Sequence, residues 1–456
     1  MARLVILSYR VAEPRRAAAA GGLAVALADA LKARRGLWFG WSGRTALEPP
    51  SKPEIVERRG VSYARLDIAS ADHTPFYAGF ANGTLWPLLH YRLGLMEFDR
   101  AALAAYARVN AAFAAALAPL LSPEDLVWVH DYQMMLVPAQ LRARGFTGRV
   151  GFFLHVPFPP PDVWCALPQG TRFLESMLAA DLIGFQTEGD RANFLACCAR
   201  CLGAVVTDGV VAHAGRRTAV DAFPIGIDTQ GFARTASRAA HGTAVRQLRE
   251  SLGERALIIG VDRLDYSKGL INRFLGYEAL LQAEPSWRRR VTYLQVAVRS
   301  RAEVTQYRAL RRELDRLAGR INGEHAAFDW TPLRYLTREV PRATLAGFFR
   351  TARVGLVTPM RDGMNLVAKE FVAAQDAADP GVLILSAFAG AAAELAEALI
   401  VNPHDPQEIA EALARALAMP GEERRARFEA MMERLRERTA AAWARSFLER
   451  LEARTL

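Results

Sequence analysis

Short apolar runs typical of buried strands alternate with amphipathic helical segments along almost the whole chain of 456 residues. Such alternation predicts parallel βαβ units. In the second half the predicted strands are Leu257–Val261, Val291–Ala297, Val354–Val357, Val382–Leu385 and Leu399–Val401. The first half repeats the pattern from Leu4–Leu7 onward, and the chain ends in helical segments. The predicted fold class is therefore α/β, with doubly wound parallel sheets.

The chain is long enough for two domains, because single hydrophobic cores usually stop growing at about 250–300 residues. Pro224–Asp228 ends the first block of strands, and a looser charged stretch, Thr229–Arg255, follows. We place the hinge there, which predicts an N-terminal domain at residues 1–235 and a C-terminal domain at residues 236–456. The terminal helices are candidates for crossing back to the first domain. Two Rossmann-like domains facing each other would leave a central cleft between their strand ends.

The formal net charge of +10 raises the question of nucleic-acid binding. The arginines are spread over helical segments such as Arg288–Arg290 and Arg424–Arg427, and no basic run is interleaved with aromatic residues. We therefore expect no nucleic acid as a partner; anionic small substrates and solvated helix faces account for the charge. We also expect no membrane partner, since no uncharged apolar stretch reaches about 18 residues and the chain starts in a strand without a signal sequence.

The four cysteines are Cys165, Cys197, Cys198 and Cys201. Three of them fall in one helical segment, where Cys197 and Cys201 share a helix face. A metal site would need further ligands, and no histidine neighbours them in the sequence. We therefore expect buried free thiols in a protein of the reducing cytosol.

Two loops of the second half, each between a predicted strand and a predicted helix, carry charged residues at the place where α/β sheets bind ligands. The first loop contains Arg263 and Lys268, whose cations suit a nucleotide diphosphate. The second loop and the helix after it contain Asp362, Gly363, Met364, Asn365, Leu366, Val367 and Glu370. A tight turn at Asp362-Gly363 and a cap at Asn365 would aim backbone N–H groups at a phosphate or sugar. The alternatives are a surface cation pair, a capping aspartate and a solvated glutamate.

Polar and aromatic residues of the first half also follow predicted strands. Arg10 ends the first strand, and the glycines at Gly22 and its neighbour would let the backbone approach a phosphate. Asp131 and His155 end two further strands, where a carboxylate could hold an acceptor hydroxyl and a histidine a sugar. The aromatic residues Trp41, Tyr77 and Trp86 suit a sugar ring, although each is as readily part of a core.

Several common catalytic patterns are missing from the sequence. There is no Gly-x-Ser-x-Gly nucleophile elbow and no Gly-Lys-Ser/Thr phosphate loop. His-x-x-x-His and Asp-x-Asp metal patterns are also absent. We therefore expect chemistry without a metal, in which arginine and lysine take the place of a divalent cation.

Taken together, the motifs closely resemble those of the trehalose-6-phosphate synthases, retaining glycosyltransferases of the two-Rossmann GT-B fold. The resemblance runs nearly from end to end. The segments that carry it are Gly36–Gly43, Leu85–Arg92, Trp128–Tyr132, Gly151–Pro159, Gly184–Thr187, Pro224–Asp228, Arg263–Leu270, Arg361–Glu370 and Val401–Pro403. Two places depart from the family pattern. The first loop reads Ser8-Tyr9-Arg10 where the family usually has Ser-Asn-Arg, and Ala297–Arg301 departs from the usual Pro-Ser/Thr-x-Arg pattern while keeping Arg301.

The resemblance implies a reaction in trehalose biosynthesis, with a role in osmoprotection. Glucose would pass from a nucleotide diphosphate, usually UDP, to the anomeric hydroxyl of glucose 6-phosphate, giving trehalose 6-phosphate. The implied acceptor residues are Arg10, Trp41, Tyr77, Trp86, Asp131 and Arg301. His155 and Asp362 would hold the transferred glucose, and Gly22 would approach the donor phosphates. Arg263 and Lys268 would bind the diphosphate, with the segment from Gly363 to Glu370 at the donor and Leu366, Val367 and Glu370 at its nucleoside end.

The resemblance also implies that the co-substrate is a nucleotide sugar, with UDP-glucose as the expected donor, and that the enzyme assembles as a homo-oligomer. From the free thiols and the missing signal sequence we expect a cytoplasmic enzyme, and we expect no cofactor. A separate trehalose-phosphate phosphatase would act downstream. Three alternatives stay open. The chain could use another phosphorylated acceptor, as in glucosylglycerol-phosphate synthase, or GDP- or ADP-glucose, or it could be a catalytically silent regulatory homologue. Retention of Arg263, Lys268 and Glu370 argues against a silent homologue.

Overall fold

The computed structural model describes residues 2–11, 27, 30–31, 36–58, 60–299 and 305–453. The described chain divides into two compact units. The first unit comprises Met1–Ile225 together with Ala440–Leu456, and the second comprises Gly226–Thr439.

The first unit is built on a ten-stranded sheet whose central strands are parallel. Its strands in chain order are β1 (Leu4–Arg10), β2 (Leu37–Ala46), β3 (Glu54–Arg58), β4 (Val61–Ala69), β5 (Leu126–His130), β6 (Arg149–Phe153), β7 (Leu182–Phe185), β8 (Val205–Thr207), β9 (Val210–His213) and β10 (Arg216–Ala222). Their spatial order is β3-β4-β2-β1-β5-β6-β7-β10-β9-β8, and only the two edges pair antiparallel. The predicted parallel sheet is confirmed.

Helices connect these parallel strands. They are α1 (Ser70–Thr74), the π-helix α2 (Pro75–Leu85), α3 (Trp86–Leu89), α4 (Arg100–Leu117), α5 (Val137–Ala143), α6 (Pro161–Trp164), α7 (Gly170–Met177) and α8 (Glu188–Leu202). Among the described residues, the segment Arg100–Leu120 is the one helix long and apolar enough to cross a membrane, by length and composition. Of its most apolar window 56% is buried, with Tyr106 and Phe113 in the core, and a core helix meets the same two criteria.

The second unit is built on an all-parallel sheet. Its strands are β11 (Ala256–Arg263), β12 (Val291–Val298), β13 (Leu333–Leu336), β14 (Val354–Val357), β15 (Val382–Ser386) and β16 (Leu399–Val401), in the spatial order β13-β12-β11-β14-β15-β16. The helices are α9 (Thr229–Ala239), α10 (Thr243–Leu252), α11 (Leu270–Ala283), α12 (Thr305–His325), α13 (Arg342–Thr351), α14 (Leu366–Ala374), α15 (Pro406–Ala418) and α16 (Gly421–Glu437). Each predicted strand of this half is present to within a few residues.

The last helix, α17 (Ala440–Glu452), belongs to the first unit. Phe447 stacks on Trp128 of β5 with ring centroids 4.5 Å apart, and Trp443 lies 4.9 Å from the same ring. A side chain at Gly151 or Gly184 would meet the Phe447 ring, so both glycines make room for it. The helix therefore completes the core of the first unit.

The boundary between the units differs from the predicted one after residue 235. The second unit begins at Gly226, because α9 packs against α13 and α14 of that unit. Thr229 Oγ1 also donates to the carbonyl oxygen of Leu435 at 2.6 Å. The charged stretch chosen as a hinge therefore forms two helices of the second unit.

The expectation of buried thiols is confirmed for two of the four cysteines and is not met by the other two. Cys197 and Cys198 are buried on α8, whereas Cys201 is partly exposed and Cys165 is exposed. Cys165 follows α6, a single helical turn at the surface, so the core does not enclose its side chain.

Candidate functional site

The loops after β11 and β14 lie side by side because these strands are neighbours in the second sheet. Met360 N donates to Ser267 O at 2.7 Å and joins the two loops. Lys268 Nζ donates to Asp362 Oδ2, and both side chains are mostly buried. The structure thus brings together the cation of the first predicted loop and the carboxylate of the second.

Asn365 is the N-cap of α14, as predicted, and its side chain also bonds Asp362. Its backbone has φ of 76°, and its side-chain oxygen accepts from Ala368 N at 3.2 Å. Its Nδ2 donates to Asp362 Oδ2 at 3.0 Å. Asp362 is therefore held by an ammonium and an amide beside a helix N-terminus, whose partial positive charge favours anions.

The rest of this segment surrounds the same helix start. Gly363 and Met364 are buried, whereas Leu366 and Val367 are partly exposed. Arg263 ends β11 and is exposed.

Arg273, which the sequence analysis did not predict, holds the backbone of Lys268 in place. It is fully buried, and its guanidinium bonds Asp262 of β11 and Thr358 after β14. Its NH2 group donates to the carbonyl oxygen of Lys268 at 3.0 Å. Burial raises the pKa of Asp262, against the opposing Arg273 charge. The strand ends that carry the Lys268 turn are thereby fixed around one buried ion pair.

Glu370 is neither solvated nor alone. It accepts from Arg342 NH2 at 2.8 Å, and only 14% of its side chain is exposed. Burial raises the pKa of Glu370, and the Arg342 guanidinium opposes this rise. Arg342 lies on α13, 28 residues earlier, and no motif in the sequence marks it. The solvated alternative for Glu370 is therefore wrong.

In the first unit, Asp131 and His155 meet because β5 and β6 are adjacent. Asp131 has φ of 72°, an uncommon value for a residue other than glycine. Its Oδ1 accepts from the backbone N–H of His155 at 3.3 Å. A non-glycine residue held in this conformation at a strand end is typical of functional sites.

His155 belongs to a chain of hydrogen bonds that the sequence did not reveal. Gln186 Oε1 accepts from Ile225 N at 2.9 Å, which turns Gln186 Nε2 toward His155 Nδ1, 3.3 Å away. With Nδ1 accepting, the neutral His155 ring carries its proton on Nε2, which donates to His130 Nδ1 at 3.0 Å. A sugar hydroxyl can therefore bind a ring nitrogen of His155 only by replacing one of these partners.

The burial of these two hydrogen-bonded histidines makes the stability of the first unit depend on pH. Burial lowers the pKa of His155 to about 3 and that of His130 well below its usual value. A histidine with a depressed folded pKa contributes stability above its unfolded pKa of about 6.5, and this is lost as pH falls toward the folded pKa.

Below about pH 6.5, we expect the free energy of unfolding of the first unit to fall more steeply in the wild type than in a His155→Asn variant. The difference should be about 1.4 kcal/mol for each pH unit. Urea unfolding at several pH values measures the slope. His241→Asn, at an exposed histidine, is the control and should keep the wild-type slope. Equal slopes for wild type and His155→Asn would contradict the buried neutral ring.

An aromatic cluster lies around the end of β1 and comprises Tyr9, Trp41 of β2, His73 of α1 and Tyr77 of α2. Tyr9 stacks between Trp41 and Tyr77, with ring centroids 5.2 Å and 5.0 Å away. The distance between its hydroxyl and His73 Nε2 is 3.1 Å. Arg10 lies over the Trp41 ring at 5.4 Å from its centroid. The cluster therefore unites Arg10, Trp41 and Tyr77, and the departure at Tyr9 forms its centre.

Three other predicted residues have different outcomes. Trp86 is 4% exposed and packs against His90 and Tyr132, so most of its ring is core. Gly22 and Arg301 lie outside the described residues.

The comparisons with known proteins agree with these features. Residues 11–453 match the model of glycosyltransferase family 20. The chain is 48% identical to the trehalose-6-phosphate synthase of Sinorhizobium fredii over 458 residues, which covers 99% of each chain.

Two solved structures superpose closely on the chain. The first is a UDP-forming α,α-trehalose-phosphate synthase of Burkholderia xenovorans in complex with glucose 6-phosphate, with a TM-score of 0.95, 45% identity and coverage of 99% and 100%. The second is the Escherichia coli protein bound with UDP-2-fluoro glucose, with a TM-score of 0.95, 44% identity and full coverage of both chains. Both are two-domain structures of the GT-B type, which confirms the predicted fold. The chain belongs to glycosyltransferase family 20.

Proposed function

We propose that the chain transfers glucose from UDP-glucose to the anomeric hydroxyl of glucose 6-phosphate, with retention, and forms α,α-trehalose 6-phosphate. The buried Lys268–Asp362 pair at the strand ends of the second unit carries the proposal, because it presents a fixed cation beside a helix N-terminus. Family membership and the ligands of the two solved relatives support it.

The second unit takes the donor in this proposal. Arg263 and Lys268 bind the diphosphate, and their charge compensates the negative charge that develops on the leaving group. Asp362 binds the transferred glucose, and the segment from Gly363 to Glu370 binds the remainder of the donor. Glu370 is suited to ribose hydroxyls because Arg342 holds its carboxylate in place.

The first unit takes the acceptor. Arg10, Trp41, Tyr77 and Trp86 bind the sugar phosphate, while Asp131 binds an acceptor hydroxyl. The family resemblance adds Arg301, from the sequence of the second unit, to the acceptor residues. His155 contacts the transferred glucose. Gly22 approaches the donor phosphates. The aromatic cluster supports this assignment, since it combines ring faces for a sugar with the Arg10 guanidinium for a phosphate.

The retaining reaction needs no protein nucleophile in this scheme. The leaving phosphate oxygen takes the proton of the acceptor hydroxyl on the same face of the sugar as the new bond. Catalysis then comes from positioning and fixed charge. Because Arg263 and Lys268 supply positive charge, we propose that turnover needs neither a metal ion nor a cofactor.

We also propose a cytoplasmic enzyme that assembles as a homo-oligomer, with a separate phosphatase removing the phosphate of the product. The resemblance to the trehalose-6-phosphate synthases supports the assembly and the separate phosphatase, and the free cysteines support a reducing cytosol.

Product analysis tests the proposal. The chain is incubated with glucose 6-phosphate and UDP-, GDP- or ADP-glucose in EDTA, and the product is identified by NMR. A 1,1-linked α,α-disaccharide phosphate formed from UDP-glucose supports the proposal. Product only with glycerol 3-phosphate as acceptor would assign a sibling transferase, and no product with any pair of substrates would assign a silent homologue.

Tyr9 offers a test of the acceptor side. Tyr9→Ala removes the ring between Trp41 and Tyr77, so we expect the KM for glucose 6-phosphate to rise about tenfold with an unchanged KM for UDP-glucose. Tyr9→Phe keeps the stacked ring and should stay within about twofold of wild type. Steady-state kinetics with each substrate varied in turn gives both constants. An equal rise in both KM values would remove the aromatic cluster from the acceptor site.

A further inference from the structure

Two cysteines of the first unit form a close pair at its surface. Cys165 directly follows α6, and Cys201 lies in the last turn of α8. Their sulfur atoms are 3.4 Å apart. A disulfide requires about 2.05 Å, so the sulfurs need to approach by about 1.4 Å. Cys165 is exposed and Cys201 partly exposed, which leaves the pair open to reagents, whereas Cys197 and Cys198 are buried.

The two sulfurs have different surroundings. The Arg200 guanidinium beside them is paired first with Asp162, and its charge also acts on both sulfurs. Burial, followed by the hydrogen bond with Cys165, raises the pKa of Cys201 to about 11. Cys201 therefore retains its proton, and the exposed Cys165 is the sulfur that an oxidant meets first.

The pair lies at the end of the loop that follows His155. Along this loop, Phe158 N donates to Asp190 of α8 at 2.8 Å, and Asn193 of α8 donates to Phe158 O at 2.9 Å. Cys197 Sγ lies 3.6 Å from Pro159 O, which accepts its weak hydrogen bond. The loop is thus held against α8 by a series of contacts, and the Cys165–Cys201 pair is the last of them.

We propose that Cys165 and Cys201 are a redox-sensitive dithiol, which thiol oxidants convert to a disulfide that fastens the loop after His155 to α8. Reversible disulfides of this kind are the ones expected in a reducing compartment. The inference does not depend on the proposed transferase reaction.

With oxidised glutathione as the oxidant, the step balances as follows. The Cys165 thiolate attacks one sulfur of glutathione disulfide, the disulfide bond breaks, and one glutathione thiolate leaves. Cys201 then gives its proton to solvent, and its sulfur attacks Cys165 Sγ and expels the second glutathione. Two electrons pass from the protein dithiol to glutathione disulfide, which becomes two molecules of reduced glutathione.

Peptide mapping under non-reducing conditions tests the proposal. The full chain is equilibrated in glutathione buffers of increasing oxidising ratio, alkylated and analysed by mass spectrometry. We expect a peptide that links Cys165 to Cys201, lighter by two hydrogen atoms than the reduced pair, which disappears on return to reduced glutathione. Cys198→Ser, at a buried cysteine on the same helix, should form the same link.

The resolving role of Cys201 gives a second measurement. In Cys201→Ser the reaction stops at the first step, so the glutathione adduct on Cys165 should rise about tenfold. Cys165→Ser should form neither adduct nor link, and its exposed position makes it tolerant of the change. A link from Cys165 to Cys197, no link at any ratio, or no accumulation of adduct in Cys201→Ser would each overturn the proposal.

Discussion

Replacing Lys268 by alanine is expected to lower kcat about a hundredfold or more while the fold stays intact. Lys268 is 8% exposed, and Asp362 and the turn before α11 hold it in place. A fixed cation at the place where charge develops on a leaving diphosphate contributes on the order of 10²–10³ in rate. The variant keeps the Arg273 ion pair that joins the strand ends, so the second unit should remain folded, with a lower urea midpoint because the mostly buried Asp362 loses its cation.

Steady-state kinetics with UDP-glucose and glucose 6-phosphate measures the loss. Lys52→Ala removes an exposed lysine of the first unit and should keep wild-type kcat. Lys268→Arg separates charge from shape, and we expect it to recover part of the rate because its guanidinium is larger than an ammonium. Near-normal turnover in Lys268→Ala would remove Lys268 from the leaving-group site and weaken the proposed function.

The strand-end positions of Asp131, His155 and Arg263 could be predicted from the sequence because each of these residues follows or ends an apolar run. Their partners could not be predicted in the same way. Lys268 meets Asp362 because β14 lies next to β11, although β12 and β13 come between them in the chain. The order of strands in the sheet depends on how the crossover helices pack. The local sequence around Lys268 or Asp362 does not predict that order.

The supporting polar residues show the same limit. Arg342 lies in an amphipathic helix among many other arginines of the chain, and only packing against α14 singles it out as the partner of Glu370. His130 lies beside Asp131 and Gln186 follows β7, but their places in the sequence gave no reason to connect them to His155. Tyr9 was noticed as a departure from a family pattern, but its ring partners come from two other elements, β2 and α2.

The sequence marked the terminal helices as candidates for crossing back, but it could not establish this for α17, since Trp443 and Phe447 would suit a helix that covers either sheet. Two glycines of the first sheet explain why α17 packs there. Gly151 and Gly184 lie on the neighbouring strands β6 and β7, two register positions apart, and the Phe447 ring fills the space above both. Because the Phe447 ring fits against these two glycines, α17 covers the sheet of the first unit.

Phe447→Ala is accordingly expected to destabilise the first unit by about 3–5 kcal/mol, as large truncations in a core do. The Phe447 side chain is fully buried and stacked on Trp128, and the two glycines beneath it have no side chains with which to fill the cavity. Phe328→Ala, at a fully exposed phenylalanine of the second unit, is the matched control and should have almost no effect.

Hydrogen exchange during urea unfolding distinguishes the two units, which need not unfold together. In Phe447→Ala the peptides of β5, β6 and β7 should lose protection at lower urea concentration, while those of β11 and β14 should be unchanged. A parallel loss in both sets would mean that α17 stabilises the whole chain as one cooperative unit. Unchanged protection in β5 to β7 would mean that the Phe447 ring adds little to the core that α17 completes.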